Sequence, residues 1–235
     1  MELKDEGICR CCLKTFAGRS IGRHLTSCKA KKEQDEAALK GKKKPQLIYH
    51  LKITSYKPFW LHIEMPAGAK LQTLDRFLRD IWLECCGHLS EFTIKGVGYS
   101  SDSGGGGDFW GMESKSMNVA LKKVLQVKDK FDYEYDFGST TPVQGQVYAQ
   151  REGILKEKIR ILARNDMPKV DCAECSKTAT DFCSDCQEFY CGECLEKHDC
   201  GDDMALPVVN SPRMGVCGYY GDEGFDTFSA EQAAS

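Results

Sequence analysis

The stretch 47–65, LIYHLKITSYKPFWLHIEM, decides how the chain folds. Leu47, Tyr49, Leu51 and Ile53 alternate, and beyond Pro58 the alternation resumes at Phe59, Leu61, Ile63 and Met65. A period of two puts every second side chain on one face, so the stretch reads as two half-buried strands with a short connection. Next, Leu71, Leu74, Phe77, Leu78, Ile81 and Trp82 recur at helical spacing, with Gln72 or Thr73 near the start and Asp75 in the first turn. This pattern predicts an amphipathic helix that ends near Gly87.

Phe92, Ile94 and Val97 suggest a further strand, the run SSDSGGGGDFWGMES reads as a loop, and residues 119–125 as a short helix. Phe131, Tyr133, Tyr135 and Phe137 alternate with charged residues, and Gly138 turns the chain into Val143, Val147 and Ala149. Four aromatics on one strand face fit a core beneath a helix better than a platform for stacked bases. Ile159, Ile161 and Ala163 complete the set. The expected fold class is α+β: a mainly antiparallel sheet of about six strands with one principal packed helix, plus two small zinc-stabilised modules.

The first of those modules is CAECSKTATDFCSDCQEFYCGECLEKHDC, residues 172–200. Three C-x-x-C pairs, Cys172/Cys175, Cys183/Cys186 and Cys191/Cys194, precede His198 and Cys200. Eight ligands in four pairs suit two tetrahedral zinc ions. In a cross-brace, pairs one and three share one ion (Cys172, Cys175, Cys191, Cys194) and pairs two and four the other (Cys183, Cys186, His198, Cys200). The order resembles B-box zinc fingers, although the His-x-Cys ending is tighter, and Cys217 is the alternative to Cys200. Both sites are closed, which suits a folding role and leaves no position for an activated water.

The second module spans residues 9–28, CRCCLKTFAGRSIGRHLTSC: Cys9 and Cys12, eleven residues, then His24 and Cys28. It resembles a ββα finger with Phe16 and Ile21 near its core positions, and Cys11 competes with the better-spaced Cys9/Cys12 pair. The total expectation is three zinc ions per chain, in twelve assigned ligands.

The net charge of -3 conceals a gradient. Residues 1–46 carry 12 basic and 6 acidic side chains, whereas residues 171–235 carry 3 and 14. A basic end suits phosphate and an acidic end avoids it. Arg10, Lys14, Arg19 and Arg23 are the candidate nucleic-acid contacts, and the Lys42, Lys43, Lys44 cluster reads as part of a solvated tether. With 41% apolar residues the chain can build a core. Fourteen cysteines beside a start that lacks an apolar leader, and the absence of an apolar run long enough to span a bilayer, lead us to expect reduced thiols, the cytoplasm and no membrane. The expected layout is a finger (1–28), a charged linker that is partly helical at best (29–46), an α+β core (47–169), a two-zinc module (170–202) and a tail (203–235).

Four segments, YHLKI (49–53), HLSEF (88–92), KFDYEYDFGSTT (130–141) and LPVVNSPRMGVCGY (206–219), together resemble the plasmid pRiA4b open-reading-frame-three-like family, the passenger proteins of certain insertion elements. The resemblance covers about residues 47–163 as the core and implies that the zinc modules are additions. It implies no activity, and the insertion-element association points toward nucleic acid. Many members carry an acid directly after YDFG; here Ser139 stands there, so no role of that acid carries over.

His88, Glu91 and Asp136 would form a carboxylate and imidazole site if their elements converged, the alternative to a binding function being an enzyme built on them. His50 and His62 read as surface or satisfied polar groups, and adjacent Cys85 and Cys86 as buried packing. Gly104 to Gly107 lack the lysine and the strand-to-helix setting of a phosphate loop. Arg213 stands as one cation in an acidic region, suited to a partner carboxylate or to bracing. The expectation for function is a non-enzymatic zinc-binding adaptor, with nucleic acid at the basic finger and protein at the acidic module; a module used for protein contacts alone is the further alternative.

Overall fold

The alternating stretch becomes a pair of antiparallel strands in the computed structural model, which describes residues 5–41, 43–101, 114–222 and 224. The elements of the larger part are β1 (Glu6–Cys9), β2 (Thr15–Ala17), α1 (Gly18–Ser27), α2 (Lys29–Leu39), β3 (Gln46–Thr54), β4 (Trp60–Pro66) and α3 (Leu71–Leu78), which runs into a π-helical turn (Arg79–Leu83). They continue with β5 (Ser90–Ile94), β6 (Val97–Ser100), β7 (Lys115–Ser116), α4 (Leu121–Val124), β8 (Lys130–Tyr135), β9 (Thr141–Gly153) and β10 (Arg160–Asn165). The smaller part holds β11 (Asp181–Cys183), β12 (Glu188–Tyr190), α5 (Gly192–Leu195) and β13 (Ala205–Pro207). Lys42, the Gly104 to Gly107 run and residues 225–235 lie outside the described residues.

The large sheet has ten strands in the order β2-β1-β10-β4-β3-β9-β8-β5-β6-β7, antiparallel except where β6 meets β7. Leu71, Leu74, Phe77, Leu78, Ile81 and Trp82 are all buried against Leu51, Ile53, Leu61, Ile63, Tyr133 and Val147, so the predicted helix lies on the predicted face. It ends earlier than expected, since its last turn widens over Arg79–Leu83. Phe131, Tyr133 and Tyr135 are buried in that core, but Phe137 leaves the strand because Asp136 takes a left-handed backbone at φ 63. Opposite Phe131 stands Gly145, where a Cβ would lie 1.9 Å from the ring, so only glycine lets the strand pass.

The expected half-burial of the first two strands holds for one face only. β3 and β4 are central, and their second face is covered too: Ile48, His50, Trp60, His62 and Glu64 are all buried. The cover comes from the N-terminal segment. β1 extends the sheet by pairing with β10 (Gly7 opposite Asn165, Cys9 opposite Ala163), and α1 packs so closely that a Cβ on Gly22 would stand 3.0 Å from Tyr148.

The charged stretch 29–46, expected as a linker, forms α2 over Lys29–Leu39 and is anchored to the sheet. Lys31 is 7% exposed and places its Nζ 2.7 Å from both Glu64 and Asp35, while Arg151 reaches Glu64 at 2.6 Å and Arg160 reaches Asp35 at 2.7 Å. Burial opposes the charge on Glu64, but Arg151 and Lys31 hold its carboxyl down to about 2. A highly charged helix can thus be buried when each charge meets its complement, which composition alone does not reveal.

Candidate metal centres

The two histidines on the covered face belong to no metal-ligand group among the described residues. His50 Nε2 and His62 Nδ1 lie 2.8 Å apart, one donating to the other, and burial lowers His50 to about 4 and His62 well below its ordinary value.

Among the described residues, four groups of cysteine and histidine bring their ligand atoms within 4.8 Å of one another and could each hold a metal ion. Three unite the residues expected from the spacing: Cys9, Cys12, His24, Cys28; Cys172, Cys175, Cys191, Cys194; and Cys183, Cys186, His198, Cys200. The last two are interleaved in the cross-brace order, with Cys200 in the group and Cys217 elsewhere.

Three of the C-x-x-C pairs are built by one local device. After the second cysteine comes a residue with left-handed backbone, Leu13 (φ 61), Ser176 (φ 58) or Gln187 (φ 62). Its N–H donates to the carbonyl of the first cysteine, at 2.8, 3.3 and 2.9 Å respectively. This closes the chain into a knuckle that aims both sulfurs at one point. The remaining pair, Cys191 and Cys194, uses the start of α5, where Leu195 N–H donates to the Cys191 carbonyl at 2.9 Å.

Ligand spacing tests the chemistry. Zinc at its usual bond lengths puts tetrahedral sulfurs about 3.8 Å apart and sulfur about 3.6 Å from nitrogen. Cys9 and Cys28 sulfurs stand 4.0 Å apart, those of Cys175 and Cys191 3.6 Å, and Cys12 to His24 and Cys186 to His198 are each 3.3 Å. A disulfide needs about 2.05 Å, and every cysteine is a thiol. Sulfurs at these separations suit a soft tetrahedral cation.

Electrostatics agrees. Against its burial, backbone N–H groups of Cys191, Glu174 and Cys175 draw the Cys172 thiol down to about 6. In the same group Cys194 is pushed up to about 12 by its hydrogen bond to Cys175 and then by burial. Thiols packed so closely all ionise only with a cation among them. Burial and Lys14 lower His24, favouring the neutral imidazole that ligates.

Cys11, the competitor in the finger, is outside all four groups and accepts from Arg160 Nη2 at 3.3 Å. The proposed contacts divide. Lys14, Arg19 and Arg23 are exposed, whereas Arg10 is half-buried and lines a cleft of about 1020 Å³ with Gln34, Arg76, Phe77 and Arg160.

His88, Glu91 and Asp136 do not form one site. Asp136 Oδ2 lies 3.5 Å from His88 Nε2 but accepts from Arg213 Nη2 at 2.6 Å, and Glu91 accepts from Ser114 Oγ at 2.5 Å. Arg213 is fully buried and braces the core through Asp136, the Ser139 carbonyl and Thr141, so a partner carboxylate cannot reach it.

The fourth group, Cys85, Cys86, His88 and Cys217, was missed by sequence reasoning. Cys86 is exposed, not buried packing. Adjacent cysteines followed by a histidine two residues on were the available signal, but the fourth ligand is 131 residues from Cys86.

The profile of a family described as plasmid pRiA4b ORF-3-like protein matches residues 46–179, from β3 through the first cysteine pair of the C-terminal module. No curated protein matches significantly. Among solved structures, the crystal structure of a protein of unknown function, MM3350 from Methanosarcina mazei Go1, is similar over 55% of this chain and 72% of its own, at 18% identity and a TM-score of 0.43.

Proposed function

This chain belongs to the plasmid pRiA4b ORF-3-like family, and from the charge and ligand geometry of its own residues we propose that it is a cytoplasmic, non-enzymatic, zinc-stabilised adaptor. Its basic finger contacts the phosphates of nucleic acid and its acidic C-terminal module contacts protein. The supporting observation is α1. Ile21, Gly22 and Leu25 bury one face of that helix, while Arg19 and Arg23, one turn apart, stand exposed on it with Lys14 nearby in the finger. A helix fixed on one side and cationic on the other is suited to a phosphate backbone.

Zinc in the three groups foreseen from the sequence supports the scaffold, since four protein ligands close each tetrahedral ion to water. In the C-terminal module Glu174, Asp185, Glu188, Glu193, Glu196 and Asp199 are exposed, which suits a basic protein surface and repels phosphate. The acid-base alternative is disfavoured because Asp136 is engaged by Arg213 and Glu91 by Ser114.

Fluorescence anisotropy with duplex and single-stranded probes tests the reading. About three neutralised phosphates give a slope of log affinity against log salt near -2.7 on duplex, shallower on single strands. Replacing Arg19 and Arg23 by Gln should flatten the slope by about 1.8 with zinc content unchanged. If neither probe binds at about 100 µM, the weak end of non-specific contacts, the nucleic-acid reading fails.

A further inference from the structure

We propose that Cys85, Cys86, His88 and Cys217 form a fourth zinc site, which clamps the C-terminal segment after β13 to the end of the large sheet. The four ligand atoms fall within 4.8 Å of one another. Sulfurs of Cys85 and Cys86 stand 3.7 Å apart, as do those of Cys86 and Cys217; His88 Nε2 lies 3.0 Å from Cys86 and 3.3 Å from Cys217. Tetrahedral zinc asks for about 3.8 Å between sulfurs and about 3.6 Å from sulfur to nitrogen. Both sulfur separations fall within the range of the other groups and are far too long for a disulfide between Cys85 and Cys86 or between Cys86 and Cys217.

The backbone is shaped for the site from both sides. Gly87, at φ 79, reverses the chain between Cys86 and His88, and its N–H donates to Glu84 Oε1 at 2.6 Å. Glu84 Oε1 also accepts from Tyr135 Oη at 3.1 Å, and that oxygen accepts from the His88 N–H at 3.3 Å. The His88 ring stands edge-on to Tyr135 at 5.7 Å, which sets its orientation. On the other side Cys217 (φ 52) and Gly218 (φ 62) curl the tail so that its sulfur returns to the group.

Charge completes the argument. Zinc with three thiolates and a neutral imidazole carries a net charge of about -1. Next to it lies Arg213, fully buried, whose Nη2 donates to Cys85 Sγ at 3.4 Å and to Asp136 Oδ2 at 2.6 Å. Hydrogen bonds of this kind orient a ligand and temper its charge. Asp136, 3.5 Å from His88 Nε2 and held by Arg213, is not among the ligand atoms that lie within 4.8 Å of one another, so the donor set is Cys3His and four protein ligands close the site. The clamp finishes a seam that Ser211 Oγ, donating to the Trp82 carbonyl at 2.5 Å, and the side-chain pair Asn210 and Asn165 at 2.7 Å begin.

The test is zinc content of the full chain together with native-state alkylation read by mass spectrometry. The expected result is four ions in the wild type and three in Cys217→Ser and in Cys86→Ser. Should a variant misfold, the wild type still decides. Cys86 and Cys217 are exposed, so only a bound metal would make them resist alkylation in folded protein, and they should react once a chelator removes it. The proposal is overturned if these two thiols react in folded, metal-loaded protein while the other three groups stay protected. It is equally overturned if they are recovered as a disulfide, or if Cys217→Ser holds as much zinc as the wild type.

Discussion

The large sheet and the C-terminal module solve the problem of holding a fold in opposite ways. The sheet buries one continuous cluster that joins β3, β4, β5, β8 and β9 to α3 and its π-helical turn. In the module the corresponding cluster has four buried residues, Cys172, Cys183, Tyr190 and Cys191, of which three are cysteines. Apolar burial supports the first; in the second there is too little of it, and the two cysteine and histidine groups could hold metal ions to supply the difference. The N-terminal finger shows that a zinc motif does not by itself specify autonomy. Its cluster takes Trp60, Leu162 and Ala163 from the sheet along with Cys9, Ile21, Leu25 and Cys28. Knuckles of one geometry thus serve a module with its own small sheet and a finger fused to a large one.

Metal removal is the strongest way to break this contrast. Structural zinc contributes about 10–16 kcal/mol in small domains, so a chelator at neutral pH should abolish amide-exchange protection in β11 and β12 and leave β3 and β9 protected. Loss of protection in all four strands in one step would mean that the sheet depends on zinc as well.

Trp82 probes the other side. It is fully buried in the apolar cluster, and Trp82→Ala should cost about 3–5 kcal/mol by denaturant unfolding without changing the zinc content of the three groups foreseen from spacing. An unchanged midpoint would show that the cluster is not what holds the sheet.

The next test asks whether the charged N-terminal helix belongs to the sheet. Glu64→Gln strands the buried Lys31 and the half-buried Arg151, and should cost about 3 kcal/mol, the low end for a broken buried pair, because Asp35 still meets both cations. A negligible change would return residues 29–46 to the status of a tether.

The smallest effect is a pH dependence confined to the sheet. Burial keeps His50 and His62 neutral in the folded chain, His50 down to about 4, while in the unfolded chain both protonate near their ordinary value of 6.5. The unfolded state therefore binds more protons between these values, so the contribution is complete above the unfolded pKa and declines as pH falls toward that of the folded state. From His50 alone the loss at pH about 5.5 is roughly 1 kcal/mol. Imidazole NMR should show both rings neutral at that pH, and a titration at ordinary values would overturn the assignment.

Much of this was readable because it is local. The strands at Tyr49, Leu51, Ile53 and Leu61, Ile63, Met65 follow from a period of two, and α3 from a period near four. The knuckles are equally local: three C-x-x-C pairs need only the left-handed residue that follows, Leu13, Ser176 or Gln187, and the fourth only the start of α5, to aim both sulfurs at one point. By itself, then, the sequence determined the sheet-and-helix core and the three groups of ligands brought together by short spacing. Tertiary structure alone decided the rest. Cys217 joins Cys85, Cys86 and His88 because the tail after β13 returns to the sheet, and no spacing rule reaches across the 129 residues from His88 to Cys217. The burial of Lys31 likewise depends on Glu64 in β4, and the finger's attachment on the edge of β10 that β4 leaves open to β1. Local motifs carry their geometry in their own backbone, whereas a contact between distant residues exists only once the chain between them has chosen its path.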